Sequence, residues 1–254
     1  MKILVCVKRV PDTSDNEIEL QGDDIRRDDL VYSVNEWDNY AVEEALRITE
    51  SLEGQVTVVT VGGDDDEEVL RRQMAMGAKE GALLSAGDGL GGAEVAAVLA
   101  AYAKKGNFDL ILTGVQAEDG CAQVGGMLAA LLDWPFASLV NAIEVMGGKL
   151  KVWREVEGGD KEINEIDLPC VLSIQTGINE PRYVGMRGIR QVAAVPIPKL
   201  GKKELGMSAD AAGKVRREGY FVPAVGKGAE MLQGSAGEMA DKVMELMRAK
   251  GGLK

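Results

Sequence analysis

Residues 109–135 read DLILTGVQAEDGCAQVGGMLAALLDWP, which is a strand followed by a loop and a helix. The apolar run Asp109–Thr113 predicts a strand that ends at Gly114, and the polar loop leads into a helix near Ala122. This arrangement presents free backbone N–H groups at the positive end of a helix, where an anion binds. The loop contains no Lys or Arg. We therefore expect the main chain to hold any phosphate bound there.

The chain before residue 109 repeats the alternation of strand and helix. Strands are predicted at 3–7, 55–61 and 82–84, and helices after Asn35, after Asp64 and at 93–105. Asn35 and Asp38 have the spacing of an approximate capping box. The alternation predicts an α/β fold, a doubly wound parallel sheet with right-handed crossovers. Ligands bind beyond the carboxyl ends of such strands, so the candidate site gathers residues 7–10, 35–38, 61–63 and 114–124.

The pattern changes after Pro135. Residues 138–175 are predicted to be β-rich, with turns at 147–148 and 158–160. Periodicity fades from about Ile197 and returns in an amphipathic helix at 235–250. A long tail with little core of its own usually packs on a partner chain, and a mobile terminus is the alternative. We predict a nucleotide-binding domain at 1–193 with a small β-rich extension, and an extended C-terminal arm at 194–254.

Charge and residue usage exclude several classes of function. The net charge is −12, from 29 basic and 41 acidic residues, which argues against a nucleic-acid or anionic-membrane surface. The chain has no His, and so lacks the commonest general base and the commonest metal ligand. We expect no catalytic residue and no metal site.

The three cysteines, Cys6, Cys121 and Cys170, are far apart, which favours reduced thiols. Cys6 and Cys170 lie in apolar strand-like runs and are predicted core residues. The N-terminus is too short for a signal peptide before its first strand, and no apolar run is long enough to cross a membrane. We predict a cytoplasmic protein without membrane insertion.

Three motifs have competing interpretations. Residues 87–92, GDGLGG, match the dinucleotide fingerprint, but the preceding strand is short and the acidic residue that follows is misplaced, so we favour a loop. Glu118 and Asp119 are more typical of solvated loop carboxylates than of an acid/base pair. Lys8 and Arg9, at the end of the first strand, are either nucleotide contacts or ordinary surface charges.

Residues 179–190 combine Arg, Pro and Gly around Met186. A flexible thioether among arginines is typical of a docking surface. A second stretch, residues 152–159, is a strand ending in a turn that presents Glu155 on the same face as Trp153. Both stretches are candidates for partner contact.

The sequence resembles the β subunit of electron transfer flavoprotein nearly from end to end. The residues that carry the resemblance are VKRVPD (7–12), VNEWDNYAVEEALRI (34–48), GVQAEDGCAQVGG (114–126), LDWP (132–135), REVEGG (154–159) and INEPRYVGMRGIRQVA (178–193). Six motifs in family order are a specific signal. NEWD and IQTGINEPRY look most like the bacterial branch that serves trimethylamine dehydrogenase.

The resemblance implies an adenine nucleotide α-hydrolase-like form of the doubly wound fold. It also implies a heterodimeric electron carrier, not an enzyme, that passes electrons from a transiently docked flavin dehydrogenase to an acceptor. FAD would be held mainly by the α subunit, and AMP would be bound structurally in this chain. The arm at 194–254 would wrap the α subunit.

The family's functional residues can be carried over position by position. The implied nucleotide contacts are Cys6, Asn35, Glu36, Trp37, Asp38, Val61, Gly114, Val115, Gln116, Ala117, Glu118, Asp119, Gly120, Cys121, Ala122, Gln123 and Val124. The N–H groups of the last three would hold the phosphate. Met186, Tyr183 and Arg187 would dock the partner, and Glu155 would pair with an α-subunit Arg and bias the motion of the flavin domain.

Two other functions remain open. One is the β subunit of a flavin-bifurcating electron transfer flavoprotein, with a second FAD in place of AMP. The other is a free-standing nucleotide-binding domain in stress or signalling. The number of flavins per complex distinguishes the bifurcating subunit from the AMP-binding electron carrier. Stability without a partner chain distinguishes the free-standing domain from both.

Overall fold

The computed structural model describes residues 1–14, 17–87, 89–117, 120–208, 218–226 and 228–252. It comprises two compact units, Met1–Glu19 with Arg26–Glu218, and Leu20–Ile25 with Gly219–Lys254. The strands, in chain order, are β1 (Lys2–Cys6), β2 (Arg9–Pro11), β3 (Leu20–Gln21), β4 (Asp24–Ile25), β5 (Tyr32–Val34), β6 (Gln55–Val61), β7 (Glu80–Ser85), β8 (Leu110–Gly114), β9 (Phe136–Val145), β10 (Lys149–Glu155), β11 (Lys161–Asp167), β12 (Cys170–Ile174) and β13 (Lys199–Gly201). The α-helices are α1 (Glu36–Ser51), α2 (Glu67–Met76), α3 (Gly92–Gly106), α4 (Val124–Leu132), α5 (Met186–Val192), α6 (Lys202–Leu205) and α7 (Ala236–Ala249), with 3₁₀ turns at Asp64–Asp66 and Glu157–Gly159.

The first unit is built on a nine-stranded sheet with the order β11-β10-β9-β12-β8-β1-β6-β7-β13. The strands from β9 to β13 in this order pair in parallel, and β10 pairs antiparallel with β9 and β11. The chain runs from β1 outward through β6 and β7, and then returns to place β8 on the other side of β1. Strand order therefore reverses between β1 and β8, which opens a crevice beyond their carboxyl ends.

Both faces of this sheet are covered, which explains the continuous apolar run of β1. Ile3 and Val5 belong to a buried cluster with residues of α1 and α2, whereas Leu4 and Cys6 belong to a second cluster with residues of α3 and α4. Successive residues of one strand thus enter different cores, as the two-residue period of a strand requires. The predicted doubly wound α/β fold is confirmed.

The predicted β-rich region is an antiparallel continuation of the same sheet. Strands β9, β10 and β11 extend it at one edge, and β12 lies between β8 and β9. At the opposite edge, β13 pairs in parallel with β7. The sequence analysis did not predict β13, because three residues, KLG, carry no two-residue periodicity. The helix after β8 begins at Val124 rather than near Ala122, because Ala122 has a φ of +54°, outside the helical range.

The second unit contains the β3–β4 hairpin and α7. The Tyr220 N–H donates to the Asp23 carbonyl at 2.9 Å, and Ser235 and Glu238 form a capping box at the start of α7. The predicted helix at 235–250 is confirmed, and no residue of α7 is buried. Exposed apolar side chains in this unit are Phe221, Val222, Val225, Met231, Val243, Met244, Leu246 and Met247.

Helix α4 contacts the sheet through a glycine. A Cβ on Gly125 would lie 2.3 Å from Ser173 Oγ and 3.0 Å from Thr113 Oγ1. These two buried hydroxyls are 2.9 Å apart and hydrogen-bonded to each other, which joins β8 to β12. The start of α4, and so the end of the loop after β8, is fixed by this close approach.

We predict that Gly125→Ala lowers the free energy of unfolding by about 1–3 kcal/mol, the usual cost of overpacking. The new methyl group must displace Ser173 Oγ and disturb its hydrogen bond with Thr113. Denaturant unfolding followed by circular dichroism measures the effect.

Gly126→Ala is the matched control one residue further along the helix. Its Cβ would meet Phe136 at 3.5 Å, an ordinary contact, so the change should be neutral or stabilising by up to about 1 kcal/mol. Equal losses in the two variants would show that helix propensity and not the close approach limits this position.

Candidate functional site

The crevice between β1 and β8 is closed by one carboxylate. Asp38, in the first turn of α1, accepts the Lys8 N–H at 2.8 Å and the Gly114 N–H at 3.0 Å. Lys8 follows β1, and Gly114 ends β8. One side chain therefore ties the start of a helix to the carboxyl ends of both strands at the point where strand order reverses.

The surroundings of Asp38 raise its pKa to about 7. Burial is the largest cause, because it disfavours the charged form. Hydrogen bonds from the Asn35 side chain and from the Lys8 and Gly114 N–H groups act in the opposite direction. The carboxyl group thus titrates near neutral pH while holding the two strand ends.

Asn35 and Asp38 do not form the predicted capping box. Asn35 precedes α1 but makes no side-chain cap hydrogen bond, and its Nδ2 donates to the Gln116 carbonyl at 2.8 Å. The prediction was wrong because tertiary partners in the β8 loop compete for the same side chains. The Oδ1 atom of Asn35 is buried and has no hydrogen-bond partner.

The loop after β8 ends in a backbone arrangement suited to an anion. Ala122 is in the left-handed region, with a φ of +54°, and Gln123 is in the right-handed helical region just before α4. Consecutive residues of these two types form a nest, in which successive N–H groups converge on an anion. The nest adjoins the N-terminus of α4, a kind of helix end at which anions bind, and phosphate binding by residues 122–124 stays a prediction.

The structure does not cover the whole predicted loop. Glu118 and Asp119 lie outside the described residues, as does Asp88 of the GDGLGG motif. In the described part, Gly120 N–H donates to the Ala117 carbonyl at 2.9 Å. Gln116, Gly120, Cys121, Ala122 and Gln123 are exposed, whereas Val115 and Ala117 are half-buried.

A glycine is required where the loop leaves the sheet. A Cβ on Gly114 would lie 2.5 Å from Asp38 Oδ1 and 2.6 Å from the Trp37 Cβ. The Trp37 indole N–H donates to Gln175 Oε1 at 3.1 Å. Helix α1 therefore packs tightly on the end of β8, and the exposed Glu36 of the same turn faces solvent.

Cys6 and Val61 lie at the same edge of the sheet as this loop, at the carboxyl ends of β1 and β6. Cys6 is buried, which raises the pKa of its thiol and makes it a core residue rather than a nucleophile. Cys170 is buried as well, and burial raises its pKa to about 12. Both predicted core cysteines are confirmed.

The sequence analysis missed one neighbour of the loop. A Cβ on Gly92, the first residue of α3, would lie 3.2 Å from Gln123 Oε1. The N-terminus of α3 thus adjoins that of α4, and the end of the GDGLGG motif borders the cradle. No local signal indicated this, because the contact joins segments about thirty residues apart. Arg9 was predicted either to contact the nucleotide or to be a surface charge. Its guanidinium carbon lies 3.9 Å from the centre of the Tyr32 ring.

The predicted docking loop presents its candidate residues to solvent. Met186 is 66% exposed and Tyr183 is 93% exposed, and Arg187 is exposed beside them. Met186 is the first residue of the short helix α5, which follows the extended segment 179–185. We call these three exposed residues the docking surface, after their predicted role.

An ion pair between the half-buried Arg182 and the buried Glu43 holds this loop against α1. Arg182 donates to both carboxylate oxygens of Glu43, at 2.8 and 3.0 Å, and to Glu50 at 2.7 Å. Burial opposes ionisation of Glu43, but the Arg182 hydrogen bonds outweigh it and lower the pKa of the carboxyl group. Asn179 Nδ2 donates to the Tyr40 carbonyl and to Glu44 Oε2, both at 3.0 Å, and these hydrogen bonds also hold the loop on α1.

Glu155 ends β10 and is exposed. Its Oε1 accepts a hydrogen bond from Asn141 Nδ2 at 3.0 Å. The carboxylate therefore faces outward from the antiparallel extension, on an element separate from both the cradle and the docking surface.

Among the helices of the described residues, none is long and apolar enough to span a membrane. The same residues contain no group of three or more His, Cys, Asp and Glu side chains placed to hold a metal ion.

Comparison with known proteins gives a consistent picture. The sequence model of the family described as "Electron transfer flavoprotein domain" matches residues 25–205 of this chain. The chain is 37% identical over 261 residues to the electron transfer flavoprotein subunit beta of Methylophilus methylotrophus, covering 97% of this chain and 98% of that protein. It is 34% identical to the same subunit of Bacillus subtilis, with 98% of each chain covered. It is also 37% identical to the caffeyl-CoA reductase-Etf complex subunit CarD of Acetobacterium woodii, covering 96% and 98%.

The raised pKa of Asp38 predicts a specific pH dependence of stability. The folded state binds this proton more tightly than the unfolded state, whose pKa is near 3.8. The contribution of Asp38 is therefore fully present below pH 3.8 and is lost as the pH rises towards about 7. The slope reaches at most about 1.4 kcal/mol per pH unit.

Asp38→Asn should remove this slope. It should also cost about 1–3 kcal/mol, because the amide offers one acceptor to two N–H donors. We expect the free energy of unfolding, wild type minus variant, to fall between pH 4 and 7 in denaturant titrations. Glu36→Gln, an exposed carboxylate in the same helical turn, is the control and should stay within about 0.5 kcal/mol. A difference independent of pH would contradict the role given to Asp38.

Proposed function

Since the chain belongs to the electron transfer flavoprotein family, as a β subunit, we propose that it binds AMP in the crevice between β1 and β8. We further propose that it carries the surface on which a flavin dehydrogenase docks. Electrons pass from that dehydrogenase to an acceptor through a heterodimer in which this chain supplies no catalytic residue. The observation that supports the proposal most directly is the nest at Ala122 and Gln123. The Asn35 side chain, which contacts the same loop at Gln116, adds a buried amide oxygen without a hydrogen-bond partner.

The residues present suit an adenylate. The N–H groups of Ala122, Gln123 and Val124 bind the phosphate without a cation, as a nest at a helix N-terminus does. The Asn35 Oδ1 atom needs a donor, and the hydroxyl and amino groups of a nucleoside supply donors. Gly114 allows Asp38 and Trp37 of α1 to approach the end of β8 closely.

We assign the remaining contacts as the family resemblance implies. They are Cys6, Asn35, Glu36, Trp37, Asp38, Val61, Gly114, Val115, Gln116, Ala117, Glu118, Asp119, Gly120 and Cys121. Asp38 acts on the nucleotide indirectly, by holding the ends of β1 and β8 together. AMP then has a structural role, because it fills the crevice at the strand ends that Asp38 bridges.

As a β subunit the chain pairs with an α subunit, and we propose that the α subunit holds most of the FAD contacts. The flavin supplies the electron-carrying chemistry. The arm at 194–254 wraps the α subunit, and the exposed apolar side chains of α7 and of the segment before it provide the contact area. Glu155, which projects from the extension, pairs with an Arg of the α subunit and biases the position of the flavin domain.

Docking is assigned to Met186, Tyr183 and Arg187. An exposed thioether beside an aromatic ring and a guanidinium matches the composition of energetically important contacts in transient interfaces. We propose trimethylamine dehydrogenase as the donor, on the resemblance of the NEWD and INEPRY motifs, and we propose that exchange takes place in the cytoplasm.

The second candidate function is a bifurcating β subunit in which the cradle holds a second FAD. Similarity to a subunit of the caffeyl-CoA reductase-Etf complex keeps this candidate in consideration. Membership of a family of paired subunits weighs against the free-standing signalling domain.

The two candidates differ in nucleotide content. We expect the purified heterodimer to release one FAD and one AMP on acid extraction, quantified by chromatography and absorbance. The Asp38→Asn heterodimer should lose AMP while keeping FAD, because the crevice lies in this chain. Two FAD and no AMP would establish the bifurcating function, and a heterodimer without adenine nucleotide would refute both.

Met186→Ala should slow reduction of the heterodimer by trimethylamine dehydrogenase by about tenfold, an effect typical of a central interface residue. FAD content and the extracted AMP should be unchanged, because Met186 is exposed and lies outside the crevice. Stopped-flow absorbance of the flavin measures the rate.

Met146→Ala is the matched control, since Met146 is an exposed methionine in the turn between β9 and β10. The flavin of the Met146→Ala heterodimer should be reduced at the wild-type rate. A normal rate for Met186→Ala would refute the docking assignment.

A further inference from the structure

We propose that Arg71 is the positioning residue that fixes the docking helix α5, and with it Met186, for partner contact. The inference rests on the proposed docking function and adds a residue to it. Helix α5 has seven residues and none of them is buried. A helix this short is not stable by itself in water, so its orientation must come from tertiary contacts.

Arg71 supplies such contacts from the middle of α2. Its guanidinium donates to the Val192 carbonyl, at the end of α5, and to the Val195 carbonyl, both at 2.6 Å. The other side of the same guanidinium donates twice to Glu67 Oε1, at 2.8 and 3.1 Å. Glu67 thus fixes the plane of the guanidinium, and the remaining nitrogen faces two carbonyls about 120 residues away along the chain.

This contact adds a charged donor at the C-terminal end of α5. The Val192 carbonyl also accepts the Val195 N–H at 3.1 Å, and the carbonyls at a helix end carry partial negative charge. A cation that donates to them stabilises that end, and charge-assisted hydrogen bonds are stronger than neutral ones. The Arg71 side chain is 22% exposed, so solvent screens this contact less than it screens a surface ion pair.

Helix α5 also packs closely against α2, so the Arg71 contact fixes the angle between the two helices. A Cβ on Gly188 would lie 3.2 Å from the carbonyl oxygen of Ala75, one helical turn beyond Arg71. Val192 and Val195 pack on the core cluster that contains Leu70 and Met74 of α2. The C-terminal end of α5 is thus fixed on α2 by Arg71.

The N-terminal approach to α5 is held separately. Arg182, four residues before Met186, is tied to Glu43 and Glu50 of α1. Met186 therefore lies between two arginine contacts that originate on different helices. Loss of Arg71 leaves the C-terminal end of α5 with its packing on α2 but without the guanidinium contact, and we expect α5 then to change its angle on α2.

The test uses the intact heterodimer with Arg71→Gln, Arg71→Lys and Arg72→Gln. Arg72 is the matched control, because it is the next residue of α2, carries the same charge and is exposed. Amide hydrogen exchange of residues 186–195 should be at least about tenfold faster in Arg71→Gln, the effect of losing a charge-assisted hydrogen bond on local opening. Arg71→Lys should be intermediate, and Arg72→Gln should match the wild type.

Steady-state transfer from reduced trimethylamine dehydrogenase separates positioning from general stability. We expect Arg71→Gln to raise the KM for the dehydrogenase about fivefold while kcat stays within about twofold, because a mobile surface lowers the competent fraction before binding. Flavin content should be unchanged. Arg71→Lys should recover part of the KM.

Three outcomes overturn the proposal. Exchange at 186–195 in Arg71→Gln equal to the wild type would show that Arg71 does not hold α5. Equally fast exchange and an equally raised KM in Arg72→Gln would show that the loss of one positive charge on α2 causes both effects. Faster exchange with an unchanged KM, while Met186→Ala still slows transfer, would make Arg71 merely structural and leave the docking function intact. Failure of that function itself is recognised by a normal transfer rate in Met186→Ala.

Discussion

The structure depends on a buried carboxylate at the point where strand order reverses. Asp38 accepts one N–H from Lys8, just after β1, and one from Gly114, the last residue of β8. Parallel strands splay apart where their connections run in opposite directions. A group that bridges them there sets the width of the crevice, and burial in this position is what raises the pKa of Asp38 to about 7.

Helix α1 serves both candidate functional regions. Its first turn bridges the ends of β1 and β8 through Asp38. Five residues later, Glu43 holds Arg182 and with it the approach to the docking surface. Helix α2 supports the other side of that surface through Arg71. The exposed residues assigned to docking therefore stand on two helices whose inner faces share one buried cluster. A rigid support lets a short, otherwise unstable segment present one conformation to a partner.

Local sequence patterns predicted elements well and predicted the use of polar side chains poorly. The apolar run of β1 and the amphipathic helix α7 were both recognisable, because each depends on periodicity within a few residues. Asn35 was interpreted as a cap, yet its amide bonds the Gln116 carbonyl, 81 positions away. A capping motif and a tertiary contact require the same side chain, and sequence spacing cannot distinguish them.

The sequence by itself determined the α/β alternation and the strand–loop–helix unit at residues 109–135, since these follow from hydrophobic period and motif order. Tertiary structure alone decided which ends meet. The pairing of Gly92 with Gln123, the bridge made by Asp38 and the reach of Arg71 to the end of α5 all join distant segments. Such contacts depend on strand order and helix orientation, which arise from how the two cores pack on opposite faces of one sheet.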